Sequence, residues 1–142
     1  MQQNMNQYKS RKKYLNQIIN NDQLTGAMNT TKWNELFNEL NKIEELISYR
    51  IQDIDGTWFP EDKSYTAEIE QIWGDFKANK FMEINCIIKE EIGRLVKPIE
   101  HDLSKQIIDI VESLNIPYEK TKNGIRVIGY YGKETSITNG SN

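Results

Sequence analysis

A pattern typical of a β-hairpin lies near the middle of the chain, in Tyr49-Arg-Ile-Gln-Asp-Ile-Asp-Gly-Thr-Trp-Phe59. Apolar and polar residues alternate on both sides of Asp55-Gly56. An Asp-Gly pair between two such runs indicates a β-hairpin, because a type I′ turn needs positive φ at both central residues. Pro60 has no amide hydrogen to donate to a neighbouring strand, so it marks the strand end or a sheet edge. The sequence therefore predicts a tight antiparallel hairpin.

An amphipathic helix is predicted before this hairpin, over about Lys32–Ser48. Its apolar residues recur at the spacing of one helical face: Trp33, Leu36, Phe37, Leu40, Ile43, Leu46 and Ile47. Thr30 or Thr31 is expected to cap the free N–H groups of its first turn. We expect this helix to lie on an apolar surface.

Further strands and a second helix are predicted after the hairpin. Residues 65–76 suit a helix or a strand, and their spacing favours a short helix. The alternation in 81–88 predicts a strand with one face in the core, and another short strand is expected around Arg94–Lys97. A helix capped by Asp102 should follow, and a second hairpin should turn at Asn123-Gly124.

These elements predict an α+β fold, with an antiparallel sheet of about four to five strands and two to three helices packed on one face. A length of 142 residues suits a single domain. Residues 1–27 are rich in Gln, Asn and Lys, and we expect them to be an appendage that is partly helical or disordered. The domain should span 28–131, and 132–142 should form a disordered tail.

Composition narrows the class of protein. The chain has a formal net charge of -3, one Cys and one His, which excludes an intramolecular disulfide and disfavours a Cys/His zinc site. It has no run of about 18 apolar residues for a membrane span and no apolar segment near its start for a secretory signal. We therefore expect a cytoplasmic protein that binds no membrane.

The acids near the first turn resemble part of a calcium-binding loop. With Gly56 at loop position six, Asp53 and Asp55 fall at positions three and five, and Asp62 falls at position twelve. However, position one would be Ile51, which has no oxygen to offer a cation, and position twelve would lack the bidentate Glu. The sequence favours a hairpin turn and predicts no metal.

Catalytic groups do not form a recognisable set. His101 and Asp102 are adjacent and Ser104 follows, but we expect the first turn of a solvated helix there, without an oxyanion hole. Cys86 should point inward from a strand as an inert small hydrophobe. We therefore predict that the protein is not an enzyme and needs no cofactor.

Charge is concentrated around the first hairpin. Residues 50–75 contain seven acids and two bases, interleaved with aromatic residues. Acids around an aromatic anchor suit a basic protein partner and repel nucleic acid. Trp58 and Phe59 are adjacent in a strand, so one of them should face outward. The predicted binding residues are Asp53, Asp55, Trp58, Glu61 and Asp62.

A second hypothesis places a small ligand in a pocket between helix and sheet. Trp33, Phe37 and Trp73 would line this pocket. A deep enclosed cavity would favour ligand binding, whereas a filled core with an acidic face would favour protein binding.

Several short motifs resemble a small bacterial family of unknown function. They are Thr31-Lys32-Trp33, Asp55-Gly56-Thr57-Trp58-Phe59 and Asn123-Gly124-Ile125-Arg126, with Gly129-Tyr130 at the end. Small α+β families of this kind are often found among immunity proteins, which occlude a toxin without performing chemistry. The resemblance therefore implies an immunity-like binding role, and it implies no catalytic residue.

Overall fold

The computed structural model describes residues 2–67 and 76–132, and it contains three α-helices and nine short strands in that part of the chain. The helices are α1 (Gln2–Asn21), α2 (Thr30–Leu40) and α3 (Ser104–Ser113). The strands are β1 (Thr25–Gly26), β2 (Ser48–Asp53), β3 (Trp58–Phe59), β4 (Asn79–Asn85), β5 (Ile87–Glu90), β6 (Ile99–Asp102), β7 (Tyr118–Lys120), β8 (Gly124–Ile128) and β9 (Tyr130–Tyr131).

Five of these strands form the main antiparallel sheet, in the order β3-β2-β4-β8-β7. Two-stranded pairings join β1 to β9 and β5 to β6. The predicted α+β class is therefore confirmed. The central strand β4 has Met82 and Ile84 fully buried on one face, where they share a core with α2 and α3. Alternate residues of a strand point to opposite faces, so Phe81 and Glu83 project from the other side.

Helix α2 is shorter than the sequence pattern predicts. It ends at Leu40 rather than near Ser48, and residues 41–47 form turns that lead into β2. Ile43 and Ile47 still reach the core from these turns, which explains the helix-like spacing, whereas Leu46 is largely exposed. The predicted Thr30 or Thr31 cap is also wrong. Asn29 is the N-cap, because its extended backbone lets its side chain accept from the Lys32 amide.

Both predicted hairpins form, but neither has the expected type I′ turn. In the first, Gly56 has a φ of 94° while Asp55 keeps negative φ, and four residues separate β2 from β3. In the second, Gly124 already belongs to β8, opposite Asn85. A Cβ at Gly124 would collide with the Ile84 carbonyl oxygen. Glycine is therefore needed there for close strand approach rather than for positive φ.

The region 81–102 also differs from the expectation. The strand predicted over 81–88 is interrupted at Cys86, and the strand expected around Arg94–Lys97 is instead the turn between β5 and β6. His101 and Asp102 lie at the end of β6 rather than in a helical first turn. The Asp102 carboxylate accepts from the Ser104 amide, so it still satisfies one free donor at the start of α3.

The N-terminal segment contributes helix α1 and strand β1. Leu15 is 3% exposed and packs with Ile54 and Ala78 in a second, smaller apolar cluster. The division of the chain at residue 27 stays a prediction. Most of the ambiguous segment 65–76 and nearly all of the predicted tail 132–142 lie outside the described residues. Within the described residues, every helix is too short or too polar to cross a bilayer.

Candidate functional site

A row of four charged residues crosses the sheet on the face opposite α2 and α3. Arg50 of β2 pairs with Glu83 of β4, Glu83 pairs with Arg126 of β8, and Arg126 pairs with Glu119 of β7. The strand register thus aligns opposite charges directly across neighbouring strands, the position at which cross-strand pairs interact best. We call Arg50, Glu83, Arg126 and Glu119 the charge ladder.

The contacts within the charge ladder are short. The Arg50 Nε lies 2.6 Å from Glu83 Oε1, and the Arg126 Nε lies 2.7 Å from Glu83 Oε2. Arg126 Nη2 is also 2.6 Å from Oε2, and its Nη1 donates to Glu119 Oε1 at 3.0 Å. Both carboxylate oxygens of Glu83 therefore accept from guanidinium groups. Such charge-assisted bonds are stronger than neutral ones and fix the guanidinium planes.

Burial makes Glu83 the most constrained member of the charge ladder. Its side chain is 2% exposed, whereas those of Arg50 and Arg126 are about 30% exposed. A buried carboxylate is tolerated when it is paired and hydrogen-bonded. Glu83 satisfies this condition with two cations, and the outer edges of both guanidinium groups remain at the surface. The centre of this sheet face therefore presents two partly exposed guanidinium groups, both paired with a buried carboxylate.

Aromatic rings flank the two arginines. The Arg50 guanidinium carbon lies 4.6 Å from the ring centroid of Tyr65 and 5.5 Å from that of Trp58. The Arg126 guanidinium carbon lies 4.9 Å from the Phe81 centroid. These distances fall within the range of cation–π attraction. The three rings are themselves only partly buried.

The predicted binding residues lie beside the charge ladder, around the β2–β3 turn. Asp55 Oδ1 accepts from both the amide and the hydroxyl of Thr57, and Asp62 Oδ1 accepts from the Ser64 amide. These hydrogen bonds lower the pKa of both aspartates below their ordinary value, so they are ionised at neutral pH. Their carboxylates are therefore fixed in position and exposed.

The other acids of this region differ in their contacts. Asp53, at the end of β2, lies 3.6 Å from the Arg11 guanidinium of α1. Glu61 is exposed in the turn after Pro60. Asp53 and Asp55 therefore lie at the turn before β3, with Asp53 turned partly toward α1, and Glu61 and Asp62 lie in the turn after β3. We call residues 53–62 the β2–β3 corner.

Trp58 and Phe59 face opposite sides of the sheet, as the sequence predicts. Phe59 packs against the main core. Trp58 lies on the open face, where Arg50 and the Lys63 ammonium approach its ring at 5.5 and 5.9 Å. Trp58 therefore lies between the β2–β3 turn, which contains Asp55, and Arg50 of the charge ladder.

The pocket expected between helix and sheet is filled where the structure describes it. Trp33 and Phe37 are fully buried and stack on each other, with ring centroids 6.1 Å apart. Trp73, the third predicted lining residue, lies outside the described residues. An open depression of about 280 Å³ lies at the start of α2, where Met28, Lys77 and Tyr130 border Trp33.

The groups considered for chemistry lie in ordinary structural settings. The His101 imidazole is 2.8 Å from Glu90 across the β5–β6 pairing. Burial raises the pKa of the Cys86 thiol to about 11, so it stays protonated at neutral pH. Within residues 2–67 and 76–132, no three His, Cys, Asp or Glu side chains form a group suited to a metal ion.

Sequence reasoning missed the charge ladder. Three of its members interrupt an apolar strand at an outward position. Arg50 lies between Tyr49 and Ile51, Glu83 between Met82 and Ile84, and Arg126 between Ile125 and Val127. Such a charge in the middle of a strand usually indicates only a solvated face. The strand register brings these charges together, and the register is known only when the pairing of all the strands is known.

The comparisons with known proteins identify a family without a described activity. The model of DUF6678, a family of unknown function, matches residues 15–134. No curated protein and no solved structure matches the chain.

Proposed function

We propose that this chain, which belongs to the DUF6678 family, is a non-catalytic protein-binding module that docks a basic partner on its β2–β3 corner. The observation that carries the proposal is that two hydrogen-bonded carboxylates, those of Asp55 and Asp62, lie on either side of an outward-facing tryptophan. Asp55 lies in the turn before β3, Glu61 and Asp62 lie in the turn after it, and Trp58 lies between them in β3 on the open sheet face.

The hydrogen bonds of the turn support this role. Ordering a loop costs free energy when a complex forms, so a loop that is already held loses less on binding. The turn is held by Asp55 and by the Asp53 amide, which donates to the Thr57 carbonyl at 2.8 Å. The carboxylates therefore present their charge in one arrangement to an approaching partner.

Trp58 supplies contact area in the same place. Tryptophan is enriched among the residues whose loss most weakens protein complexes. Its ring is partly buried by Arg50 and Lys63, which fixes its orientation while leaving an outer surface. Long-range attraction by the acids and close packing by Trp58 together suit a partner with a positively charged recess.

The finer proposal is that the partner is a basic toxin and that the protein acts as an immunity protein. The short motifs resemble a small family of unknown function, and small α+β families of this kind are often found among immunity proteins. An acidic face with an aromatic anchor is also suited to covering a basic active site. Occlusion needs no chemistry from this chain.

The experiment compares two variants with the same change in charge. Asp55→Asn, Glu61→Gln and Asp62→Asn together remove three charges but keep hydrogen-bond acceptors at the turn. Asp22→Asn, Glu100→Gln and Asp109→Asn remove three exposed charges elsewhere. Cross-linked capture with the wild-type chain identifies a partner, which is then purified and titrated by surface plasmon resonance at several salt concentrations.

We expect the turn variant to associate about ten-fold more slowly at low salt and to lose most of its salt dependence. The control variant should associate at nearly the wild-type rate. Trp58→Ala should mainly raise the dissociation rate, by about ten-fold or more. An acidic partner, or equal effects of the two triple variants, would refute the proposal.

A further inference from the structure

The turn between β5 and β6 exposes a group of aliphatic side chains. We call residues 91–98 the hairpin tip. Leu95 is 99% exposed, and Val96 and Ile92 are 54% and 50% exposed. Isolated apolar residues on a surface are ordinary, but a group of them at the end of a projecting hairpin indicates a contact site.

The hairpin tip is held on a paired base. Strands β5 and β6 pair over four residues each, from Ile87 opposite Asp102 to Glu90 opposite Ile99. The Leu103 amide donates to the Cys86 carbonyl at 2.8 Å, which fastens the base to the buried start of α3. The hairpin tip therefore presents its aliphatic side chains on an ordered support.

The hairpin tip carries two cations and one acid, Glu91, which lies next to the end of β5. Arg94 and Lys97 flank Leu95 and Val96. Within residues 2–67 and 76–132, neither cation lies within salt-bridge distance of a carboxylate. A complementary surface would therefore combine an apolar recess with nearby acids.

The same molecule carries such a surface between the end of α2 and the start of β2. An open depression of about 270 Å³ is lined there by Leu40, Ile43, Leu46, Ile47, Glu44 and Glu45. Leu46 is 77% exposed at its border. A cavity of about 150 Å³ can hold a benzene-sized group, so this depression has room for a leucine side chain.

The two surfaces lie at the same end of the sheet. Ser48, the first residue of β2, pairs with Asn85 at the end of β4, and β5 begins two residues later. Leu95 is almost fully exposed, so the hairpin tip does not occupy the depression of its own chain. Placing tip and depression at one end allows two copies to exchange these contacts about a two-fold axis.

We propose that the protein forms a dimer in which the hairpin tip of each copy inserts into the depression of the other. Leu95 is the inserted residue, and Arg94 and Lys97 face Glu44 and Glu45 of the second copy. Charge complementarity favours a second copy over an anionic membrane, because the chain as a whole is acidic. The proposal uses residues outside the β2–β3 corner and is independent of the proposed function.

The first test measures the dimer by sedimentation velocity over a range of concentrations. The wild-type chain should show a reversible monomer–dimer equilibrium. Leu95→Asp and Leu46→Asp should each weaken the dimer about 30-fold or more, as expected for a central contact residue. Both positions are exposed, so circular dichroism and the melting temperature of the monomer should stay at wild-type values. A wild-type chain that is monomeric at all concentrations would overturn the proposal.

The second test reverses charges on each side of the contact. Arg94→Glu with Lys97→Glu makes both surfaces of that variant acidic, and Glu44→Lys with Glu45→Lys makes both surfaces of the other variant basic. Each variant alone should be monomeric, and an equimolar mixture should form a heterodimer because every tip then meets a depression of opposite charge. Lys12→Glu with Lys13→Glu, exposed on α1, is the matched control and should dimerise as the wild type does.

Two outcomes would contradict this arrangement. A dimer that survives both charge reversals would use another surface. Sedimentation of the wild-type chain with vesicles of phosphatidylserine, lost in Leu95→Asp and accompanied by no dimer, would show that the hairpin tip binds anionic membranes.

Discussion

Arg126 faces Glu83 across β8 and β4, and two of its nitrogens, Nε and Nη2, lie within 2.7 Å of the same carboxylate oxygen. This pair lies in the middle of the sheet, on the face opposite the helices. Arg50 binds the second carboxylate oxygen from the other side. One buried acid therefore links the three central strands through their side chains.

Removing the buried acid should destabilise the fold strongly. Glu83→Ala would leave two arginines side by side without their counter-charge, and we expect it to lower the free energy of unfolding by about 3 kcal/mol. Urea denaturation followed by circular dichroism gives the value. Glu119→Ala is the matched control at the exposed end of the charge ladder, and its cost should stay below about 1 kcal/mol. Equal costs for the two variants would contradict a special role for Glu83.

The N-terminal helix should contribute to stability through Leu15. Its side chain is buried against Ile54 and Ala78, and we expect Leu15→Ala to lower the free energy of unfolding by about 2 kcal/mol. Thermal unfolding of this variant is compared with that of Tyr14→Ala, whose side chain is 46% exposed. Alanine favours the helix at both positions, so a loss confined to Leu15→Ala reports lost packing. If both variants melt at the wild-type temperature, the segment 1–27 is an appendage, as the sequence predicts.

Gly124 should not tolerate a side chain. A methyl group at this position would overlap the Ile84 carbonyl oxygen of the neighbouring strand, so Gly124→Ala must push β4 and β8 apart. We expect a loss of about 2–3 kcal/mol, typical of a forced overlap in a packed region. Gly26→Ala is the control, since the nearest atom to its new methyl group would be Tyr130 Cε1 at 3.8 Å. Its measured loss should be much smaller.

The Cys86 thiol should be unreactive in the folded protein. Burial raises its pKa to about 11, against about 8.5 in an unfolded chain. At pH 8 we therefore expect its reaction with a disulfide reagent to be at least ~100-fold slower in the native protein than in urea. A thiol that reacts equally fast in both states would contradict its burial.

The same raised pKa predicts a pH dependence of stability. Between about pH 8.5 and pH 11 the unfolded thiol loses its proton while the native thiol keeps it, so stability should fall as pH rises through this range. Lysine and tyrosine also titrate there. For each protein we therefore measure the fall in the urea midpoint between pH 8 and pH 10. The fall in the wild type minus the fall in Cys86→Ala is the part caused by the thiol.

Asp55 should stabilise the fold through the hydrogen bonds that its side-chain oxygen accepts, rather than through its negative charge. Asp55→Ala removes the acceptor for the Thr57 amide and hydroxyl, and it should cost about 1 kcal/mol. Asp55→Asn keeps that acceptor and should cost less than half as much. The melting temperatures of the two variants separate the contribution of the hydrogen bonds from that of the charge. A larger loss in the Asn variant would indicate that the negative charge itself holds the turn.

Local patterns predicted most of the elements but not their ends. The apolar spacing of 33–47 indicates one continuous helix, yet the chain leaves the helix at Leu40 and returns Ile43 and Ile47 to the core through turns. Both arrangements bury the same residues, so periodicity alone does not distinguish them. Likewise the interruption at Cys86 is visible only once β5 pairs with β6 instead of extending the main sheet.

At the candidate site, the acidic residues could be predicted from the sequence, whereas the charge ladder beside them could not. Asp55, Asp62 and Trp58 are close in the chain, so a turn signal was enough to place them together. Arg50, Glu83 and Arg126 are separated by more than 30 residues at each step, and their meeting depends on strand order and register.

The fold class, the two hairpins and the opposite orientations of Trp58 and Phe59 could be predicted from the sequence, because they follow from hydrogen-bonding and side-chain periodicity within a few residues. The burial of a glutamate between two arginines and the exposure of an apolar turn between β5 and β6 were visible only in the assembled fold. Such features depend on which distant strands become neighbours, and that choice is made by the packing of the whole core.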